Sequence, residues 1–293
     1  ITEGVIVWKV PEGRGKIMQF VCVNEGDPNM DYLSKDAARA YVTMTHEQYY
    51  KRFPQYFGTT ITESFCDEPT LYRAKGRVWT PSFNDEYRAR YGSSPALYYP
   101  ALWYDIGPET EAARNALFTL RSDLYAEAYP LTISRWSAAH GALATGHQDN
   151  EEVENPVGTS GDLMKCFRYL DIPGIDKIGT WAERPTERFY KIVSSAAYNW
   201  DHSLVMSETY GAMGNLPWDS LYSIAMDQFA KGINVLIPHA AWYDDDNVTF
   251  LPELSSRNPL YADGLYDFNT FLGRMHTILQ NEDRFVAEIA VLY

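Results

Sequence analysis

Cysteine is scarce. Cys22, Cys66 and Cys166 are the only three in 293 residues, too few and too scattered for a disulfide framework or a zinc site. Small core filler is the role that suits them. Positive charge is also in short supply, with 25 Lys and Arg against 39 Asp and Glu and a formal net charge of -14. That balance excludes nucleic acid as a partner, because phosphate binding needs a basic face, and it disfavours docking on anionic membranes. No apolar run approaches the roughly 20 residues that cross a bilayer, so no membrane insertion is expected. Several signatures are missing as well. There is no P-loop and no H-E-x-x-H, no G-x-S-x-G turn and no Ser-His-Asp order. His140 and His147 are seven residues apart across a helix–strand junction, which does not suit a shared metal.

What is abundant is aromatic. Eight Trp and 22 Tyr in an acidic chain suit sugar binding, since rings offer flat apolar faces to the C–H faces of a pyranose, although any single ring more often belongs to the core. With 45% hydrophobic residues the chain can bury a large core.

Short β-rich runs alternate with amphipathic stretches, the pattern of a parallel sheet with crossover helices. The run KIMQFVCV at 16–23 precedes a helix capped by Ser34, and TTITESF at 59–65 follows. A Tyr-, Pro- and Arg-rich excursion from Leu71 to Tyr104 leads into a long helical segment that Pro130 interrupts and Gly141 ends. Then ALATGHQ, IDKIGT, SLVMSE and NVLIPHAAWY read as strands separated by helices, with Pro217 near the first turn of one of them. A final helix spans GLYDFNTFLGRMHTILQ. Six or seven β/α units in one direction fit an open doubly wound sheet or a (β/α)8 barrel. A nucleotide-binding sheet shows a Gly-rich turn after its first strand, and NEGDPNMD after Val23 has a single Gly. The barrel is therefore expected over residues 1–283, with 284–293 as its last strand or the start of a following domain. ITEGVIVW at the start and EIAVLY at the close both read as strands without caps, as expected of a catalytic module within a multidomain protein.

A barrel places its chemistry at the C-terminal ends of its strands. Those ends carry Asp67 and Glu68; His147, Gln148, Asp149 and Asn150, with Glu151 and Glu152 beyond; Trp181, past a strand that holds Asp176; Glu208 and Tyr210; and His239, Trp242 and Tyr243. A lone acid there is often a helix cap. Polar or aromatic groups at consecutive strand ends point instead to a hydrophilic ligand. Carboxylates with aromatic walls and amide or imidazole donors fit glycosidic bond hydrolysis, in which one acid protonates the leaving oxygen and a second carboxylate activates water or attacks carbon. Glu208 and Glu68 are the candidates. The run Asp244-Asp245-Asp246-Asn247 reads as a solvated loop more readily than as a calcium loop.

The blocks ITESFCDEP, WTPSFNDEYRARYG, YPALWYD, DIPGIDKIG, MSETYG and DQFAKGINVLIPHAAWY occur in an order and spacing that resemble glycoside hydrolase family 106, whose characterised members are α-L-rhamnosidases. The resemblance runs from EGRGKIMQF to AEIAVLY. It implies a (β/α)8 catalytic barrel inside a larger exported protein, periplasmic or extracellular, and flanked by β-sandwich domains of the same chain. It further implies removal of terminal rhamnose from plant-type polysaccharide with inversion. By position, Glu208 is then the general base, and the FCDEP block supplies the general acid. Glu68 is the choice there over Glu63 and Asp67. A calcium ion is implied too, with Asp176 standing where the family presents a Glu contact. The strand-end residues themselves make Asp67, His147, Gln148, Trp181, Tyr210, His239, Trp242 and Tyr243 the expected sugar contacts. Two other readings stay open: a retaining glycosidase of the β-galactosidase type, and a carbohydrate-binding barrel without catalysis.

Overall fold

Five parallel strands lie side by side in sequence order: β1 (Glu63–Cys66), β2 (Leu143–Gly146), β3 (Ile172–Lys177), β4 (Met206–Thr209) and β5 (Val235–Pro238). They curl into half a barrel. The computed structural model describes residues 9, 11–23, 30–71, 77–151, 156–179, 189–244, 246–281 and 288–289. Parallel neighbours need crossover connections, and helices supply them. Helices α1 (Lys35–Met44) and α2 (His46–Arg52) precede β1, and α3 (Phe83–Tyr91), α4 (Thr110–Ala128) and α5 (Pro130–Ala139) link β1 to β2. Single helices follow the remaining strands: α6 (Leu163–Tyr169), α7 (Phe189–Asn199), α8 (Trp218–Ala230) and α9 (Leu265–Leu279).

Local chemistry sets the helix ends. The Ser34 hydroxyl accepts the Ala37 N–H at 3.3 Å and starts α1. Pro130, with no N–H to give to α4, begins α5 instead. Pro217 stands immediately before α8.

The closed ring expected from the sequence is not seen among the described residues, which form five strands. Residues 16–23 carry the apolar side chains of a strand but make no ladder, and Ile17 is 83% and Val21 64% exposed. Composition can mark a segment as strand-like, yet a ladder also needs a neighbour's N–H and C=O groups, which lie elsewhere in the chain. Residues 284–293 fall outside the described residues apart from Glu288 and Ile289. β3 begins at Ile172, three residues before the expected start, because Pro173 and Gly174 read as breakers. Gly174 is there for space: a Cβ would come within 2.3 Å of Met206 Cε and 2.6 Å of the Gly146 carbonyl. Gly146, at φ 133°, is tighter still, since its Cβ would fall 2.1 Å from the Cys66 carbonyl oxygen.

Strand alternation divides the sheet into two faces. Cys66, Ala144 and Ile175 pack with α4–α7 in one core cluster, and Leu236 joins α8 and α9 in a second. The opposite, concave face carries the alternate residues. At its two edges Phe65 and Ile237 are 43% and 39% exposed, whereas a closed barrel buries such positions in its interior layers.

Candidate active site

The same alternation delivers the polar groups. Asp176 and Glu208 are register partners on β3 and β4, so their side chains leave the sheet on one face. Phe65 pairs with Thr145 across β1 and β2, and two residues further on each strand come Asp67 and His147, directed to that same concave face. Glu208 is part-buried and Asp176 is 8% exposed. Glu63, at the start of β1, lies at the far end of the strand from Asp67 and Glu68.

His147 joins the ends of three strands. It has no exposed surface. Its Nε2 lies 2.9 Å from Glu208 Oε2 and 3.4 Å from Asp67 Oδ1, and its Nδ1 lies 4.0 Å from Glu151 Oε1. Burial alone would favour the neutral ring. The hydrogen bond to Glu208 and the charges of Glu151, Asp176 and Glu208 outweigh it and push the imidazole up to about 10, so it is a cation at neutral pH. Glu208 shows the converse balance. Burial would raise it, but the His147 hydrogen bond and the His147 and His239 charges hold it below the usual carboxylate range. Asp176 is pushed up to about 7 by burial, with the charges of Glu208, Glu68 and Asp67 adding to the rise and that of His147 opposing it.

Glu68 leaves the strand pattern. Its backbone turns left-handed, at φ 44°, immediately after Asp67. Lost hydration and then the charges of Asp149 and Asp67 raise its carboxyl, with His147 opposing and Glu208 adding to the rise. Two carboxyls are thus displaced in opposite directions beside one imidazolium.

Among the buried polar atoms without hydrogen-bond partners in the described residues, four lie on or just past these strands: Gln148 Nε2, Asp176 Oδ1, His239 Nδ1 and Trp242 Nε1. Buried polar groups are ordinarily paired, so this set fits a ligand rich in hydroxyls. The His239 and Trp242 rings meet edge-on at 5.5 Å. Asp67, Glu208 and the ring nitrogen of His147 form the one three-ligand group that could hold a metal among the described residues.

Against this geometry, the model of glycoside hydrolase family 106, described as alpha-L-rhamnosidase, matches residues 2–293. The chain belongs to glycoside hydrolase family 106. Among solved structures, the rhamnosidase from Novosphingobium sp. PP1Y superposes with a TM-score of 0.67 at 17% identity, covering 88% of this chain and 26% of that one. That likeness establishes the shared fold, and the chain spans about a quarter of that protein's length. No curated protein matches the sequence.

Within this family 106 chain, some sugar contacts expected from the sequence are placed elsewhere. Tyr210 is fully buried and its hydroxyl donates to the Leu221 carbonyl at 2.8 Å, so it belongs to the α8–α9 core. At φ 86° it has left the strand, and alternation no longer predicts its direction. Tyr243 stands in solvent, 101% exposed, and walls nothing among the described residues. His147 sits against Glu208 with no open surface of its own. Trp181 and Asp245 lie outside the described residues. The Asp244 carbonyl accepts a hydrogen bond from Arg257 at 3.0 Å, tying down that acidic loop.

Two contributors were not singled out from the sequence. Tyr125, on α4, is fully buried and donates from its hydroxyl to Gln148 Oε1 and to the Pro69 carbonyl, joining the loops after β1 and β2. No sequence signal marks a helix tyrosine for that task. Glu151 is 3% exposed and accepts the Gln148 N–H at 2.6 Å. Its position four residues after His147 was the available hint.

Proposed function

We propose that this chain is the catalytic part of an α-L-rhamnosidase that removes terminal rhamnose from plant-type polysaccharide with inversion. Glu208 is the general base that activates water, and Glu68 is the general acid that protonates the leaving oxygen. The observation that carries this reading is the opposite displacement of the two carboxyls, Glu208 held ionised by His147 and Glu68 held toward its protonated form. Inverting enzymes separate their carboxyls by roughly 6.5–9.5 Å to admit water. Asp67 approaches Glu208 within 4.8 Å, too close for that role, which leaves Glu68 as the acid. The same proximity favours a second reading, a retaining enzyme in which Asp67 and Glu208 are the pair, because retention works at about 5–5.5 Å. The unpartnered ring nitrogens of His239 and Trp242 supply polar contacts for sugar hydroxyls. As an exported enzyme it meets its polysaccharide outside the cytoplasm, and a closed (β/α)8 ring within a larger multidomain chain would cover the exposed Phe65 and Ile237 edges.

Calcium takes six to eight oxygen ligands. The Asp67–His147–Glu208 group offers an imidazole that is already a cation, and so does not suit it. Asp176 does: its Oδ1 is buried and has no partner. A calcium ion held there with water and sugar hydroxyls would supply fixed positive charge that orients the sugar.

A panel of p-nitrophenyl glycosides tests the activity. Turnover of the α-L-rhamnoside by the full-length protein, and its loss in a Glu208→Gln variant that keeps the wild-type Tm, supports the reading. Substantial turnover by that variant removes Glu208 from the mechanism.

A further inference from the structure

We propose that Glu151 is a positioning residue for the catalytic base: from beneath the site it sets the orientation of His147, and through His147 that of the Glu208 carboxylate. This rests on Glu208 acting as the base. His147 is held at both ring nitrogens, and its Nδ1 also lies 3.5 Å from the carbonyl of Gln148, the residue whose N–H Glu151 binds. Glu208 Oε2 meets Nε2 at 2.9 Å, and Glu151 Oε1 faces Nδ1 at 4.0 Å. The ring of Phe65 packs edge-on against the imidazole at 5.6 Å and limits its tilt. With no exposed surface, the ring cannot exchange either partner for bulk water.

Glu151 is itself fixed. It is 3% exposed and accepts the Gln148 N–H at 2.6 Å, closing the turn that leaves β2. The Gln148 side chain is in turn held by the hydroxyl of Tyr125 from α4. A rigid helix thereby anchors a chain of contacts that runs Tyr125, Gln148, Glu151, His147, Glu208. A partner behind a ring is what sets the direction in which its other nitrogen donates. Only the near end of this chain touches substrate, so Glu151 influences turnover without contributing to binding.

Glu151→Gln and Glu151→Ala, made in the full-length protein, test this. Glutamine retains an oxygen for the Gln148 N–H, and alanine retains none. Glu151→Ala should lower kcat about tenfold or more, the scale seen when an outer partner of a site residue is removed, with KM within about twofold of wild type because no ground-state contact is lost. Glu151→Gln should recover part of the lost kcat. In protein labelled with 15N-histidine, the ring-nitrogen signals of His147 should shift in both variants relative to wild type. A kcat within about twofold of wild type in Glu151→Ala overturns the proposal. So does a raised KM at constant kcat, or loss of activity in both variants in step with a collapsed Tm. If the wild-type protein hydrolyses no glycoside, the proposed function fails, while unshifted His147 signals in folded Glu151→Gln separately overturn the role of Glu151.

Discussion

His147 Nε2 and Glu208 Oε2 lie 2.9 Å apart, joining the residue that follows β2 to one on β4. The bond crosses over β3, between them in the sheet, and ties the two sides of the concave face together at its mouth. A buried imidazolium in that position does two things: it holds the Glu208 carboxyl toward its ionised form and points one of its oxygens.

Replacing His147 with Asn removes both effects. Glu208 sits below its ordinary range because of His147, so losing the imidazolium raises it. A general base works only when deprotonated. The acid limb of kcat/KM therefore moves to higher pH, and the variant loses more activity near about pH 5 than near neutrality, against a background loss of about 100-fold. A pH–rate profile of both proteins checks this, and a limb that stays in place contradicts it.

Glu68 is tested by the leaving group. A general acid matters most where the departing oxygen is basic, so Glu68→Gln should cost about 100-fold or more on an alkyl or sugar rhamnoside and much less on the p-nitrophenyl compound. Because the Glu68 carboxyl is raised, the alkaline limb of the wild-type profile should lie above that of an ordinary glutamic acid and disappear in the variant. Equal losses on both substrates would make Asp67 the better candidate.

Asp176 predicts a metal effect readable without turnover. A chelator should lower the Tm of the wild-type protein and calcium should restore it, since a ligand that binds only the native state stabilises it by mass action. Asp176→Asn should erase the difference between the two conditions. A chelator response that persists in Asp176→Asn places the ion elsewhere.

Gly146→Ala probes the strand junction that carries His147. An added Cβ would stand 2.1 Å from the Cys66 carbonyl oxygen, and neither backbone can yield without disturbing the β1–β2 ladder. The expected cost is at least the roughly 1–3 kcal/mol of an overpacked core, together with the strain of a left-handed φ. Denaturant unfolding measures it. Gly174→Ala meets the flexible tip of Met206 and, at 2.6 Å, the Gly146 carbonyl, but it carries no left-handed φ and should be the milder change.

Much of the fold was legible because strand and helix patterns are local. Ser34, Pro130 and Pro217 mark their helix ends through chemistry that acts within a few residues, and the apolar runs of β2, β4 and β5 carry their own period. Closure was less legible: residues 16–23 look like a strand, but a sheet position depends on a distant neighbour. In the site, Asp67, Asp176 and Glu208 could be placed by counting along strands. Counting failed at Glu68 and Tyr210, where left-handed backbone breaks alternation. Tyr125 was unreadable for another reason, and Glu151 offered only its spacing from His147. Their roles come from contacts formed after the loops fold back, which the local sequence does not announce.

In the proposed reaction Glu68 and Glu208 act from opposite sides of the sugar, with the attacking water on the Glu208 side. Proton NMR of the first sugar released from an aryl α-L-rhamnoside tests it most directly. β-L-rhamnose appearing first, and only later equilibrating with the α anomer, is the predicted result. α-L-rhamnose as the first-formed product would contradict it and give the pairing to Asp67 and Glu208.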